Sequence, residues 1–276
     1  MLLEIENLRV RFPTRVGVTA AVRGVSFAMG REKLAIVGES GSGKSVTGRA
    51  LMGLVPPPGV VAVDRFRFDG MDLAGAPASV LRGLRGRRIG LVLQDPKFSL
   101  NPVKRVGEQI AESLRAHLGT TGAEARRRTL ALLETVQIRD PERVARAYPH
   151  ELSGGMAQRA MISMMLIAEP DLLIADEPTS ALDVTVQLEI LAILDEQTRR
   201  RGMGLIFISH DLRLVSRFCD RVVVMYAGRI METIRAADLS RAQHPYTQGL
   251  YRCLPDLSRP GEMLPVLERD AAWTEA

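Results

Sequence analysis

The sequence predicts an α/β fold in which a parallel sheet carries helices on its faces, with an antiparallel β-subdomain at the N-terminus and an inserted helical subdomain. Three observations lead to this prediction. Short apolar runs of strand length alternate with helical segments, two N-terminal segments alternate between apolar and polar residues, and a long middle stretch is helical throughout. Alternating strands and helices are typical of parallel sheets, because each parallel connection needs a crossover that is usually a helix.

The predicted elements follow from local patterns. The segments "LLEIENLRVRF" and "AAVRGVSFAM" alternate with a period of two around a polar turn, which predicts two antiparallel strands. "KLAIVG", residues 33–38, is continuously apolar, as expected of a strand buried on both faces. The helix predicted at "KSVTGRALMGLV" ends at "PPPG". Further strands are predicted at "VVAVDRFRFDGMDL", "IGLVLQ", "DLLIADEP", "GLIFISH" and "DRVVVMYAGRI", with a helix from Val184 to about Arg200.

The middle of the chain, about residues 96–168, contains successive helical patterns, among them "RVGEQIAESLRAHL" and "GGMAQRAMISMMLIA". This block interrupts the order of strands and helices, so we predict that it forms a helical subdomain inserted in the core. Residues 1–238 are predicted to form one domain. Residues 239–276, rich in proline and charge, are predicted to be a C-terminal extension rather than a second domain.

Composition narrows the class of protein. Hydrophobic residues make up 46% and charged residues 25%, as in ordinary globular proteins. Only 4% are aromatic, so stacking surfaces for single-stranded nucleic acid are scarce.

No stretch approaches the roughly 18 to 20 apolar residues that cross a bilayer, and the acidic, alternating N-terminus is unlike a signal peptide. Two cysteines without metal-ligand spacing favour a reducing compartment, and we expect a cytoplasmic protein. The net charge of +5 suits anionic ligands or an anionic membrane, or is simply a solvated face.

A phosphate-binding loop is predicted at "GESGSGKS", which matches G-x-x-x-x-G-K-S between a buried strand and a helix. Its glycines let the backbone wrap closely around a phosphate and turn successive N–H groups toward it. Lys44 is expected to reach the β- and γ-phosphates and the Ser45 hydroxyl to bind Mg²⁺. The loop comprises Gly38, Glu39, Ser40, Gly41, Ser42, Gly43, Lys44 and Ser45.

Polar residues end several of the predicted buried strands. Asp176 and Glu177 end "LLIADE", and acids at the carboxyl end of a parallel strand lie at the ligand edge of the sheet. Asp176 is expected to hold Mg²⁺, and Glu177 to polarise the attacking water as a general base. Gln94 ends "IGLVLQ", where its amide could bind Mg²⁺ or the water. His210 ends "LIFISH" and could donate to a γ-phosphate oxygen, although a strand-end histidine alone is more often structural.

A second anion site is predicted at "ELSGGMAQRA", where a serine and two glycines lead into a run of helix formers. The N–H groups of the first helical turn are then available to a phosphate. The chain thus carries two phosphate-binding sequences more than a hundred residues apart. The pattern alone does not say whether they serve one nucleotide or two.

The order of these motifs resembles the nucleotide-binding subunits of ATP-binding cassette (ABC) transporters, over about residues 2–230. The resemblance implies a P-loop NTPase (RecA-like) core that binds ATP and Mg²⁺ and hydrolyses the ATP. It identifies "LSGGMAQ" as the family signature, Gln94 as the Q-loop residue, Asp183 as part of the D-loop, His210 as the switch histidine and Phe12 as the aromatic that stacks on adenine. The implied cofactor-binding set includes Ser153, Gly154, Gly155 and Gln158 of the signature.

The resemblance also answers the question of the two anion sites. Two ABC subunits pack head to tail, and ATP is held between the phosphate loop of one and the signature of the other. Ser153 and Gly155 are therefore expected to contact the γ-phosphate of an ATP bound to a second ATPase subunit. The implied remaining partners are two transmembrane permeases and, through them, an extracytoplasmic solute-binding protein, which places this chain at the cytoplasmic face of the inner membrane.

Two further strings, "QDPKFSLNP" and "HPYTQGL", resemble the dipeptide, oligopeptide and nickel importers of this family. The first string is expected to form a loop where a permease docks, and the second serves only as a family marker. Many peptide-importer subunits carry a C-terminal cysteine cluster for an iron–sulfur centre, which needs four thiolates. Here the tail holds only Cys253, so no cluster is expected, and peptides, nickel chelates and other small solutes remain open.

Three other classes of protein share some of these motifs. An ABC ATPase of a nucleic-acid-linked process usually has two cassettes, a long coiled coil or zinc motifs, none of which is visible, so no nucleic acid is expected among the partners. A P-loop kinase would need an acceptor site and a lid, and the signature argues against it. A regulatory ATP-binding module would not need both Glu177 and His210.

Overall fold

The computed structural model describes residues 1–96, 99–180, 182–254, 267, 269–270 and 272–275. Short 3₁₀ helices lie at Pro149–Glu151 and Ala236–Arg241. The strands and helices are, in chain order, β1 (Leu3–Thr14), β2 (Gly17–Met29), β3 (Lys33–Val37), α1 (Lys44–Leu51), β4 (Val60–Ala62), β5 (Arg65–Phe68), β6 (Met71–Asp72), α2 (Ala78–Leu84), β7 (Ile89–Val92), α3 (Val106–Leu118), α4 (Gly122–Thr135), α5 (Pro141–Arg146), α6 (Gly154–Leu166), β8 (Leu172–Asp176), α7 (Val184–Arg201), β9 (Gly204–Ser209), α8 (Leu212–Phe218), β10 (Arg221–Tyr226), β11 (Arg229–Arg235), α9 (Pro245–Arg252) and α10 (Ala272–Glu275).

The chain forms two compact units. The first combines residues 1–81 with residues 206–276, and the second consists of residues 82–205. The predicted helical block lies in the second unit and the C-terminal extension in the first. The sequence predicts one domain over residues 1–238, with a helical subdomain inserted at about 96–168, and an extension over residues 239–276. These bounds stay predictions.

An antiparallel sheet in the first unit is built around β1, as the N-terminal alternation predicts. β1 pairs along its length with β2, so that Leu3 lies opposite Met29, and its other edge pairs with β4 and β5. Leu3 and Ile5 are buried, and so are Leu8 and Val10 beyond an irregularity in the strand between Ile5 and Leu8. The apolar residues of each pair are two positions apart, so they lie on one face of the strand.

A second set of strands in the first unit has the order β11-β10-β3-β9. β3 and β10 are parallel, with Ala35 opposite Val222, and both are almost wholly buried, which confirms the strand predicted from continuous apolar residues. The segment "DRVVVMYAGRI", predicted to be strand, contains parts of two strands, because the chain turns back there as the β10–β11 hairpin. Ala227 and Gly228 both have positive φ, 45° and 83°, as two-residue hairpin turns require.

The second unit contains the parallel pair β7 and β8, with Ile89 opposite Leu172, and a group of helices. α3 contacts α4, α5 and α6, and α6 also contacts β7. Ile110, Leu133 and Met161 are fully buried among these helices. The predicted helical character of this block is therefore confirmed. The signature lies at the start of α6, which packs against the other helices of this unit.

Candidate functional site

The phosphate loop connects β3 to α1 in the first unit and has a backbone that suits glycine. Gly38, Gly41 and Gly43 have φ of 151°, 81° and 98°, which L side chains rarely adopt. A Cβ at Gly38 would lie 2.1 Å from the carbonyl oxygen of Met225, and one at Gly43 would lie 2.5 Å from that of Ala21. Two of these glycines are therefore required both for backbone conformation and for close approach to neighbouring strands.

Lys44 begins α1 and its side chain is buried in the loop. Its Nζ donates to the carbonyl oxygens of Gly38 and Glu39, each over 2.8 Å, and lies 3.5 Å from Oγ of Ser42. These contacts hold the ammonium group of Lys44 against the backbone of the loop. Phosphate oxygens, which are charged, bind an ammonium more strongly than carbonyl oxygens do. The contacts predicted between Lys44 and the β- and γ-phosphates stay a prediction.

The acid pair lies at the end of β8 in the second unit. All five residues of β8 are buried, including Asp176 at 6% exposure, and Glu177 follows with a positive φ of 47°. A positive φ in a residue other than glycine is uncommon. The chain therefore turns sharply at Glu177, which is half-buried while Asp176 stays in the strand.

The structure brings Gln94 and Glu177 together, a contact that was not predicted from the sequence. The Gln94 amide donates to Oε2 of Glu177 over 3.4 Å and to Oγ of Ser180 over 3.1 Å. Ser180 Oγ in turn donates to the carbonyl oxygen of Glu177 over 3.2 Å. Ser180 was not predicted, although its place three residues after Glu177 in "PTSALD" was the available signal. Gln94 itself lies two residues beyond the end of β7 rather than in the strand.

The signature lies at the start of α6, where the sequence predicts a helix, and anion binding there stays a prediction. Ser153 is the N-cap, and its Oγ accepts from the backbone N–H of Met156 over 3.4 Å. Gly154 and Gly155 form the first turn, and a Cβ at Gly155 would lie 2.7 Å from Cγ1 of Val186 in α7. A cavity of about 270 Å³ adjoins this turn, and its lining includes Ser153, Gly155, Arg139, Arg143 and Arg159.

Gln158 and Asp183 make structural contacts within the second unit. Gln158 is buried, and its amide donates to the carbonyl oxygen of Pro178 over 2.6 Å. Asp183 is the N-cap of α7 and accepts from the N–H groups of Thr185 and Val186, each over 3.0 Å. Both residues thus stabilise the segment around the acid pair, and their nucleotide contacts stay predictions.

His210 and Phe12 belong to the first unit. His210 follows β9 and is exposed, next to Asp211, which caps α8. Phe12 lies within β1 opposite Thr19, and its ring is close to Gly59, where an added Cβ would lie 2.7 Å from Cε1. The roles predicted for these two residues, with γ-phosphate and adenine, stay predictions.

The donors predicted for Mg²⁺ are chemically suited to it. Mg²⁺ prefers oxygen ligands and usually combines one or two protein groups with water and phosphate oxygens rather than a dedicated protein cage. Ser45, Gln94 and Asp176 offer a hydroxyl, an amide oxygen and a carboxylate. Among the described residues, no group of three or more His, Cys, Asp or Glu side chains forms a candidate metal site.

A glycine loop with a buried lysine at its helix, and an acid pair at the end of a buried parallel strand, define the class of P-loop nucleotide hydrolases. Comparison with known proteins narrows this class. The ABC transporter family model matches residues 22–180. The chain therefore belongs to the ABC transporter family, and it is an ATP-binding and ATP-hydrolysing member.

Individual relatives and solved structures agree with this assignment. The chain is 47% identical over 264 residues to the oligopeptide transport ATP-binding protein OppD of Bacillus subtilis, covering 95% of this chain and 74% of OppD. It is 46% identical to the dipeptide transport ATP-binding protein DppD of the same organism, covering 96% and 80%. The dimeric ATP-binding cassette MJ0796 bound to ADP and Pi superposes with a TM-score of 0.76 at 25% identity, covering 85% of this chain and 98% of that one. No helix among the described residues is long and apolar enough to cross a membrane.

Proposed function

We propose that this chain energises the import of di- or oligopeptides by binding Mg-ATP and hydrolysing it with Glu177 as the general base. The observation that carries the proposal is the contact of Gln94 with Glu177 beside Asp176 in a chain with a complete phosphate loop. A polar residue that holds the carboxylate of Glu177 gives that group a defined position, which general-base catalysis needs. Lys44 and Ser45 bind the phosphates and the metal in this proposal, and His210 donates to the γ-phosphate.

The metal proposal concerns Mg²⁺ held by Ser45, Gln94 and Asp176. Bound Mg²⁺ would neutralise charge on the β- and γ-phosphates. Asp176 ends a buried parallel strand, and the carboxyl ends of such strands form the ligand edge of the sheet. Glu177 is more exposed than Asp176 and accepts a proton from the attacking water in this proposal.

The second anion site serves a different nucleotide in this proposal. Ser153 and Gly155, with the N–H groups at the start of α6, bind the γ-phosphate of an ATP carried by a second ATPase subunit. The solved structures of the cassette MJ0796 are described as dimeric, which supports an assembly of two such subunits. The second subunit is proposed to be a related but distinct chain.

The solute proposal rests on relatives whose names refer to oligopeptide and dipeptide transport. Nickel chelates are the second candidate, because the sequence resemblance extends to nickel importers. The proposed partners are two transmembrane permeases, approached through the loop after Gln94, and a solute-binding protein outside the membrane. Lys97 and Phe98 of that loop lie outside the described residues. The proposed location is the cytoplasmic face of the cell membrane, with the chain held there by the permeases.

Reconstitution of the chain with its permeases, second ATPase and binding protein in lipid vesicles tests the proposal. Phosphate release should rise when the binding protein is loaded with a mixture of short peptides, and stay low with the unloaded protein. Stimulation by a nickel chelate and not by peptides would show that the imported solute is a nickel chelate. Full, solute-independent turnover by the dilute isolated chain would contradict the need for a partner, because each chain supplies only half of each site.

A further inference from the structure

Glu39, the second residue of the phosphate loop, is contacted by two residues of the C-terminal extension. Its backbone N–H donates to the Tyr246 hydroxyl oxygen over 3.2 Å. Its carboxylate accepts from Arg269, with Nη2 at 2.7 Å and Nε at 3.5 Å. These contacts join parts of the chain that are 207 and 230 residues apart. The motif "HPYTQGL", which was only a family marker in the sequence, therefore supplies a residue that contacts the phosphate loop.

Tyr246 is held rigidly. It lies in the first turn of α9 and is fully buried. Its ring packs against Tyr226 and Trp273, with centroid distances of 4.7 and 5.7 Å. Its backbone N–H donates to Nδ1 of His244, which caps the helix, over 3.1 Å. Burial raises the pKa of Tyr246 to about 12, so the hydroxyl stays neutral at physiological pH and its oxygen accepts from Glu39 at a fixed place.

Glu39 is thus restrained at three points. Its N–H binds Tyr246, its carbonyl oxygen accepts from Lys44 over 2.8 Å, and its carboxylate binds Arg269. A bare carboxylate next to a phosphate loop repels the triphosphate that the loop must bind, and an adjacent guanidinium offsets that repulsion. The ion pair is partly exposed, with side-chain exposures of 59% for Arg269 and 30% for Glu39, so solvent screens much of its effect.

We infer that Tyr246 and Arg269 are positioning residues for the phosphate loop, and that they act through Glu39. The C-terminal extension shapes the loop by way of the Glu39 backbone and neutralises the Glu39 carboxylate, and both effects raise the affinity of the loop for the triphosphate. This inference rests on nucleotide binding by the loop and goes beyond it, because it gives the C-terminal extension a role in that binding.

The first test measures the Kd of the isolated full chain for Mg-ATP by calorimetric titration. Arg269→Ala should raise Kd by about two- to fivefold, the range expected for an exposed ion pair, and Arg269→Lys should recover part of the loss. The difference should shrink at about 0.5 M salt, where charges are screened over a few ångström. Arg252→Ala, at an exposed arginine at the end of α9, is the matched control and should bind ATP as the unaltered chain does.

The second test asks whether Arg269 acts through Glu39. In a Glu39→Gln background, Arg269→Ala should leave Kd unchanged, because no carboxylate remains to be neutralised. Tyr246→Phe removes only the acceptor oxygen and should also raise Kd. Trp273 is the only tryptophan of the chain, and its emission should keep the maximum of the unaltered chain in each variant, which shows that the extension stays docked.

An unchanged Kd in both Arg269→Ala and Tyr246→Phe would overturn the inference, and so would an equal loss from Arg269→Ala with and without Glu39. The Kd of the unaltered chain for Mg-ATP distinguishes a failure of this inference from a failure of the proposed function. If the unaltered chain binds Mg-ATP and the variants bind equally well, only the positioning role fails. If the unaltered chain binds no Mg-ATP, nucleotide binding itself fails.

Discussion

The amide of Gln94 donates to the carboxylate of Glu177 over 3.4 Å, and it holds Ser180 at the same time over 3.1 Å. The residue proposed to position the metal or water thus also positions the proposed general base. Gln94→Ala should lower ATP turnover by about three- to tenfold, the effect of losing one hydrogen bond of about 1 kcal/mol, while Kd for ATP stays near that of the unaltered chain. Phosphate release by the reconstituted complex measures the turnover. Turnover equal to that of the unaltered complex would show that Gln94 has no role in the reaction.

Glu177→Gln keeps the shape of the side chain but cannot accept a proton from water. Turnover should fall by at least about a hundredfold, as expected when a general base is removed, and Mg-ATP should still bind. Single-turnover phosphate release and nucleotide titration on the same preparation separate the two effects. Near-normal turnover would show that another group activates the water.

The glycines of the phosphate loop are predicted to differ in their tolerance of a side chain. Gly38→Ala combines a positive φ with a Cβ placed 2.1 Å from the Met225 carbonyl oxygen, and should lower the free energy of unfolding by about 2–5 kcal/mol. Gly41→Ala has a positive φ but open space around the Cβ, so it should cost only about 1–2 kcal/mol. Urea denaturation of both variants checks this order, and an equal loss in the two would contradict the close approach at Gly38.

Arg159 connects the signature helix α6 to its surroundings. Its guanidinium, at 13% exposure, donates to the Gln137 carbonyl oxygen over 2.8 Å and pairs with Glu189 of α7. Arg159→Met leaves a carbonyl and a carboxylate without this partner and should lower the free energy of unfolding by about 1–3 kcal/mol. Glu189→Gln, the matched control, retains a hydrogen-bond acceptor on a residue that is 41% exposed and should cost less than about 1 kcal/mol. Equal losses in the two variants would show that the Gln137 carbonyl contributes nothing.

The sequence predicts the parts of this fold that local patterns determine. Continuous apolar runs predicted β3 and β8, because a strand that is buried on both faces has apolar residues at every position. Alternation predicted β1 and β2, because a strand that is buried on one face has apolar residues at alternate positions. The phosphate loop was equally visible, since its glycine positions are required by backbone conformation. The β10–β11 hairpin was missed, because its turn is formed by Ala227 and Gly228 rather than by a typical Asn-Gly pair.

The contacts that the sequence does not reveal are the long-range ones. Tyr246 and Arg269 meet Glu39 across more than two hundred residues, and no periodicity or spacing connects them. Ser180 was missed for a different reason. It stands in a recognisable segment, but a serine near a strand end carries no chemistry until its neighbours Gln94 and Glu177 are placed around it.

The central claim is that the two anion sites of this chain serve two different nucleotides, and Ser153→Arg tests it most directly. Ser153 is exposed and caps α6, so this variant adds bulk at the signature and costs about 1 kcal/mol of helix stability, which thermal unfolding will register. The measurement is ATP affinity of the isolated chain, followed by trapping of labelled nucleotide on each ATPase subunit of the assembled complex. Lys44→Ala is the reference variant, because it removes a charge-assisted phosphate contact and should weaken binding to the isolated chain. We expect Ser153→Arg to leave that affinity near the unaltered value and to abolish trapping on the phosphate loop of the partner subunit. Loss of ATP binding by the isolated Ser153→Arg chain would contradict the account, because both glycine-rich sequences would then serve one nucleotide.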